Sequence, residues 1–138
     1  MMRHDWTLLC AGVAALPSGS IEMRNVVTVA EVADGLRRSP IDTVLPIDTP
    51  LWLVSQWSAE FQPDRKVYSG LLQWMAPGGD HVLDQQTLEF DFRHTIVYRF
   101  IRRIREVRFI GSGTYEFHVP VSDFAEQGEW RRACLRVN

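Results

Sequence analysis

Apolar and polar positions alternate with period 2 along most of this chain, the signature of half-buried β-strands. The stretch Val107-Arg108-Phe109-Ile110-Gly111-Ser112-Gly113-Thr114-Tyr115-Glu116-Phe117-His118-Val119 reads as a β-hairpin. After its Gly-Ser-Gly turn, Tyr115, Phe117 and Val119 fall on one face, and Thr114, Glu116 and His118 on the other. Thr87 to Arg93 repeats the pattern, with Leu88, Phe90 and Phe92 inward and Glu89, Asp91 and Arg93 outward. Val67 to Met75 places Tyr68, Leu72 and Trp74 on one face. Leu51 to Phe61 sets Leu53, Trp57, Ala59 and Phe61 against Gln56, Ser58 and Glu60. Trp52 and Val54 interrupt that polar face, so one end of this strand is expected to be buried on both sides.

The remaining elements follow from turn chemistry. Trp6 to Leu16 reads as the first strand, ended by Pro17-Ser18-Gly19-Ser20, and Ile21 to Val32 pairs back on it through Val26-Val27-Thr28-Val29. Ala33 to Pro50 dissolves into Asp34-Gly35 and three prolines, which predicts a crossing loop with a short edge strand at Thr43 to Leu45. Gln62-Pro63-Asp64 and Ala76-Pro77-Gly78-Gly79-Asp80 are turns. A bend at Ser122 to Gly128 leads to a last strand from Trp130 to Val137. His94 to Glu106 reads both ways. Ile96, Val97, Phe100, Ile101 and Ile104 recur at helical spacing, but these β-branched and aromatic residues lack an N-terminal capping box, which favours a strand.

These elements predict an all-β fold over a single domain, residues 1–138: a two-layer antiparallel sandwich of about seven to nine strands, immunoglobulin-like or jelly-roll. A chain of 138 residues buries roughly two-thirds of its unfolded surface, so no disulfide or metal staple is required. With 46% hydrophobic and 23% charged residues the composition excludes a wholly disordered chain. Met1 to Leu16 has the outline of a short leader, but Asp5, Thr7, Cys10 and Gly12 break its apolar run, which is also too short to span a bilayer. A cytoplasmic protein with no membrane association is therefore expected.

Charge adds one anomaly. From Arg93 to Arg108 six arginines face one glutamate, net +5, which leaves −7 for the rest of a chain whose total is −2. Arginine forks grip phosphates, so Arg99, Arg102, Arg103, Arg105 and Arg108 are candidate contacts for an anion or a nucleic acid. In a strand, however, Arg99, Arg103 and Arg105 cannot all share a face with Arg102 and Arg108. The plainer reading is a solvated face paired with Glu89, Asp91 and Glu116. Of the five tryptophans, Trp52 and Trp74 lie on partly polar faces and are the candidates for a partner contact.

No catalytic constellation emerges. Glu89 and Asp91 at spacing i, i+2 are explained by an exposed strand face. His4, His81, His94 and His118 form no H-x-H or H-x-x-x-H pair, and Cys10 and Cys134 no C-x-x-C, so neither a metal nor a cofactor is signalled. Gly111-x-Gly113 lacks the continuation of a nucleotide loop, and no G-x-S-x-G elbow exists. The expectation is a non-enzymatic interaction or assembly module acting through a sheet face or strand edge, with a protein partner or self-association. Nucleic acid is the alternative.

Trp6-Thr7-Leu8-Leu9-Cys10 and Gly113-Thr114-Tyr115-Glu116-Phe117-His118-Val119 resemble the two ends of a bacterial family of short β-sandwich proteins of unknown function. Its members open with an apolar strand ending in Leu-Cys and close with a Gly-x-Tyr-x-Phe-x-Val strand. In immunoglobulin-like modules a late Gly-x-Tyr packs its ring inward or pins a neighbouring loop with its hydroxyl. The resemblance implies a fold and transfers no functional residue.

Overall fold

Alternating β-formers become strands through most of the described residues. The computed structural model describes residues 2–27, 29–30, 43–46, 51–79, 81–111, 113–121 and 132–137. Among them run β1 (Arg3–Ala15), β2 (Ile21–Val26), β3 (Val29–Ala30), β4 (Thr43–Pro46), β5 (Trp52–Ser58), β6 (Val67–Met75), β7 (Val82–Asp91), β8 (Val97–Arg103), β9 (Glu106–Phe109), β10 (Gly113–His118) and β11 (Arg132–Val137). Eight of these have six residues or more, the range expected; β3, β4 and β9 are segments of two to four residues. The turn at Gln62–Asp64 is a single 3₁₀ turn. The expected loop from Ala33 and the bend at Ser122 to Gly128 lie outside the described residues, as does Trp130.

Two sheets face each other. One has the order β2-β1-β5-β8; the other is β3-β11-β10-β6-β7; β4 and β9 form a separate ribbon. All pairings are antiparallel except β3 with β11. This is a two-layer sandwich. The run expected as one strand from Ile21 to Val32 is divided: β2 pairs with β1, and the chain then crosses so that β3 joins the opposite sheet. Asn25 takes φ 55 near the end of β2, a left-handed conformation that asparagine tolerates better than most residues.

Aromatic rings fill the space between the layers. Trp57 of β5 meets Phe90 of β7 at 5.2 Å between ring centroids, and both are fully buried. Trp74 of β6 stacks on Tyr115 of β10 at 4.8 Å with ring planes 7° apart. Polar groups at this depth are bonded, as burial requires. The Trp57 indole donates to Ser55 Oγ at 2.8 Å, and Ser55 Oγ lies 2.7 Å from Thr7 Oγ1. At Gly70 the segment after β10 approaches so closely that a Cβ would sit 2.9 Å from the Pro120 carbonyl oxygen. Only glycine admits that contact, through which Leu71 N donates to the same carbonyl at 2.9 Å.

Two of these expectations are corrected, the hairpin and the inward Phe61. Val107 to Val119 is not a hairpin: β9 pairs with β4, whereas β10 pairs with β6 and β11. The glycines instead open a corner from the β4–β9 ribbon into the five-stranded sheet, with Gly111 at φ 130 and Gly113 at φ 155. Tyr115 holds that corner. Its hydroxyl accepts from Ile110 N at 2.9 Å and donates to the Gly111 carbonyl at 2.6 Å. A late-strand tyrosine bonded to backbone a few residues upstream is a feature of immunoglobulin-like sandwiches. The strand favoured within His94 to Glu106 is β8, Val97–Arg103, whose Phe100 packs in the core, and Glu106 begins β9. Phe61, expected inward, is 72% exposed because β5 ends at Ser58 and the chain has left the sheet.

Burial pushes the Tyr115 hydroxyl above its ordinary pKa, against the backbone bonds, so it stays a neutral donor. Tyr115→Phe keeps the stacked ring and deletes both corner bonds. Urea unfolding is expected to lose about 1–3 kcal/mol with an unchanged m-value.

Candidate interaction face

Register decides which side chains look outward, because cross-strand partners share a face. In the four-stranded sheet Leu53, Ser55 and Trp57 of β5 point into the core, so Trp52, Val54, Gln56 and Ser58 point out. Pairing extends this outer face to Trp6, Leu8 and Cys10 of β1, to Val26 and Arg24 of β2, and to Val97, Arg99, Ile101 and Arg103 of β8. Most of these residues are apolar. Val54 and Cys10 are fully buried on this face. Trp6, Leu8 and Trp52 are half-buried, while Val26, Val97 and Ile101 are 67%, 37% and 39% exposed.

The five-stranded sheet turns a different face outward. There Ser69, Gln73, Gln85, Thr87, Glu89, Thr114 and Glu116 alternate with the core residues. One outer face is mostly polar, broken by Val67, Leu71 and Met75, and the other is mostly apolar. Cys134 lies opposite Glu116 on the polar face and Cys10 on the apolar one, so the layers separate the two free thiols. Burial raises the pKa of the Cys10 thiol. His118, expected to be outward and polar, is nevertheless buried, and its Nε2 meets Glu116 Oε2 at 2.5 Å.

The five candidate arginines do not form one strip. Arg99 and Arg103 lie on the outer face, whereas Arg102 points across the sandwich, where Nη1 donates to Gln86 Oε1 and the guanidinium lies 5.1 Å over the Phe100 ring. Arg105 is exposed past the end of β8, and Arg108 is half-buried on β9. Arg99 donates to Gln56 Oε1 at 2.8 Å and to the Gly19 carbonyl at 3.2 Å, both neutral acceptors. Arg103 lies 5.7 Å over the Trp52 ring, and its buried Nε has no hydrogen-bond partner. The outer-face carboxylates are engaged elsewhere, Asp5 with Arg3 and Glu22 with Arg24. Asp5 also accepts from Ser58 and Gln56. Burial raises the pKa of Asp5, but these bonds outweigh it and hold the carboxyl below its ordinary value.

The two tryptophan candidates separate. Trp52 is half-buried on the outer face beneath Arg103. Trp74 is a core residue, 5% exposed, whose indole donates to the Arg108 carbonyl at 2.7 Å. Its β6 position faces the opposite layer, and that overrides the polar neighbours that suggested exposure. Sequence reasoning missed Trp6, Leu8, Val26, Val97 and Ile101 as one surface. The readable signal was apolar residues at both parities, Trp6 and Leu8 beside Leu9 and Trp52 and Val54 beside Leu53.

β8 ends its sheet, so one of its backbone edges has no partner strand among the described residues. Ile96 O accepts from Ala59 N, and Ile104 N donates to Leu51 O, so even-numbered positions turn their backbone groups toward β5. In an antiparallel strand those groups alternate sides. The N–H and C=O groups of Val97, Arg99, Ile101 and Arg103 therefore point to the open edge.

Elsewhere, a cleft of about 60 Å³ opens beside Asp84, Gln86, Glu106 and Arg108 over Trp74 and Phe117. Small-molecule sites occupy about 300 Å³ or more, so this cleft admits water-sized groups. Among the described residues no group of three or more His, Cys, Asp or Glu is placed to hold a metal ion. No helix of the described residues is long and apolar enough to cross a membrane. No protein-family model matches the chain, and no curated protein matches it.

Glu89 and Asp91 do not form an acid–base pair. Asp91 is bound to Arg93, whose Nη2 and Nε donate at 2.8 and 3.0 Å and whose backbone N donates at 3.0 Å. These side-chain bonds from Arg93, followed by the backbone bond, lower the Asp91 pKa to about 2. A depressed carboxylate favours the folded state above its unfolded pKa, and that contribution fades as pH falls through about 2. The Asp91 carboxyl resonance is expected to titrate near pH 2, and Arg93→Gln to return it toward the usual aspartate range.

Proposed function

We propose that this protein is a non-enzymatic, cytoplasmic interaction module that receives a protein partner on the outer face of its four-stranded sheet. The observation that carries this reading is the difference between the two outer faces: mostly apolar over β1, β5 and β8, mostly polar over β6, β7 and β10. Contiguous exposed apolar surface is characteristic of interaction sites. Trp6 and Trp52 supply large, half-buried rings of the type that anchors interfaces. Membership of the bacterial sandwich family belongs to the same proposal, since the Leu-Cys motif lies on β1 and the Gly-x-Tyr-x-Phe motif on β10.

A photo-crosslinking residue placed at position 101, and separately at Thr87 on the polar sheet, tests the assignment. The expected result is one discrete protein adduct from position 101 and none from position 87. The captured protein should bind the purified chain again in isolation, and Ile101→Asp should weaken it by about tenfold or more. Indistinguishable labelling from the two positions, or no adduct from 101, would overturn the reading.

A further inference from the structure

The open edge of β8 and the apolar outer face meet in the same four residues. Val97, Arg99, Ile101 and Arg103 send their side chains onto the outer face and their backbone groups toward the edge. A segment lying beside β8 would therefore take up main-chain hydrogen bonds and touch these side chains together. Its chemistry is set by their alternation. Val97 and Ile101 are exposed apolar groups. Arg99 and Arg103 are cations whose contacts are neutral: an amide, a carbonyl and an indole ring.

We infer that β8 accepts an extended acidic segment of a partner protein, added antiparallel as a fifth strand, with carboxylates opposite Arg99 and Arg103 and apolar residues opposite Val97 and Ile101. This rests on the interaction reading above and specifies its partner. Cross-strand neighbours lie about 5 Å apart, within reach of an Arg–carboxylate fork. Read from its N-terminus, the segment has the pattern acidic-x-apolar-x-acidic-x-apolar. A second copy of this chain is disfavoured in the antiparallel pairing centred on Ile101, which sets Arg99 of each copy against Arg103 of the other, because like charges directly opposite oppose pairing.

The test uses the full chain and a labelled peptide, Glu-Thr-Val-Thr-Glu-Thr-Val-Thr, with a control carrying Lys in place of both Glu. Saturable anisotropy is expected for the acidic peptide alone, weakening with added salt and about tenfold weaker for the Arg99→Gln, Arg103→Gln double variant. Hydrogen exchange of the wild-type protein should slow at the amides of Val97, Arg99, Ile101 and Arg103 when the acidic peptide is bound. Equal binding of the lysine control, protection at other residues, or no binding would overturn the inference, and the first two readouts need no variant. A particle of twice 15.9 kDa with the same four amides protected before peptide is added would give the edge to a second copy and overturn the acidic partner. A discrete adduct from position 101 alongside a silent acidic peptide would leave the interaction module standing without this partner. Silence in both experiments would remove the two together.

Discussion

Trp57 packed against Phe90 sets the register from which the rest of the molecule follows. Both rings are fully shielded from water, and each belongs to a strand with neighbours paired along several residues. A slip of one residue in β5 would send Trp57 out and bring Gln56 in, so burial of this one ring specifies the parity of the strand. Hydrogen-bonded pairing passes that parity to β1 and β8. Ser55 and Thr7 are tolerated inside because they form a bonded chain that begins at the Trp57 indole. The outer face is thus a by-product of the core. Once Leu53 and Trp57 point inward, Trp52 and Val54 have no direction left but outward, and Ile101 and Arg103 follow through their pairing with them.

An edge strand with exposed valine and isoleucine is a hazard, because unpaired backbone groups template further strands. β8 answers it with arginine at alternate outer positions. The choice of arginine over lysine has a structural reason: the planar guanidinium of Arg103 lies over Trp52, and that of Arg102 over Phe100. Neither needs a carboxylate from its own chain. The edge therefore resists a copy of itself paired about Ile101, while Arg99 and Arg103, without a carboxylate contact among the described residues, leave one for a different partner to supply. At the opposite end of this sheet β2 carries Arg24 and Glu22 already paired with each other, so its charge is locally spent. The two edges differ in what they can attract.

Much of the core was legible in the sequence, since one-sided alternation has a single interpretation. Leu88, Phe90 and Phe92, then Tyr115, Phe117 and Val119, are buried as their spacing predicts. Turn chemistry was less decisive. Gly111-Ser112-Gly113 suits a hairpin and a corner between ribbon and sheet equally, and what separates them is the Tyr115 hydroxyl reaching Ile110 and Gly111. His118 was misjudged for a different reason: alternation reports the side of a sheet, and it is silent about what covers that side. The candidate site was the least legible part. A sheet with apolar groups on both faces produces a continuous apolar run, which reads as depth of burial when it is in fact two surfaces.

That ambiguity has a physical source. Pattern alone reads Trp6, Leu8 and Val54 as interior, and in one sense they are: Val54 is as shielded as Leu53 on the opposite face. Leu53 belongs to the core between the two sheets, whereas Val54 lies on the outer side beside Leu8, which is half-buried, and Ile101, which is exposed. Covering one apolar group with others moves the exposed surface outward without removing it. Two layers can hide only the faces between them, so a strand apolar on both sides needs a third layer or remains partly exposed. Here the outermost residues of that face, Val97 and Ile101 on the open edge, are the point at which another chain could complete it.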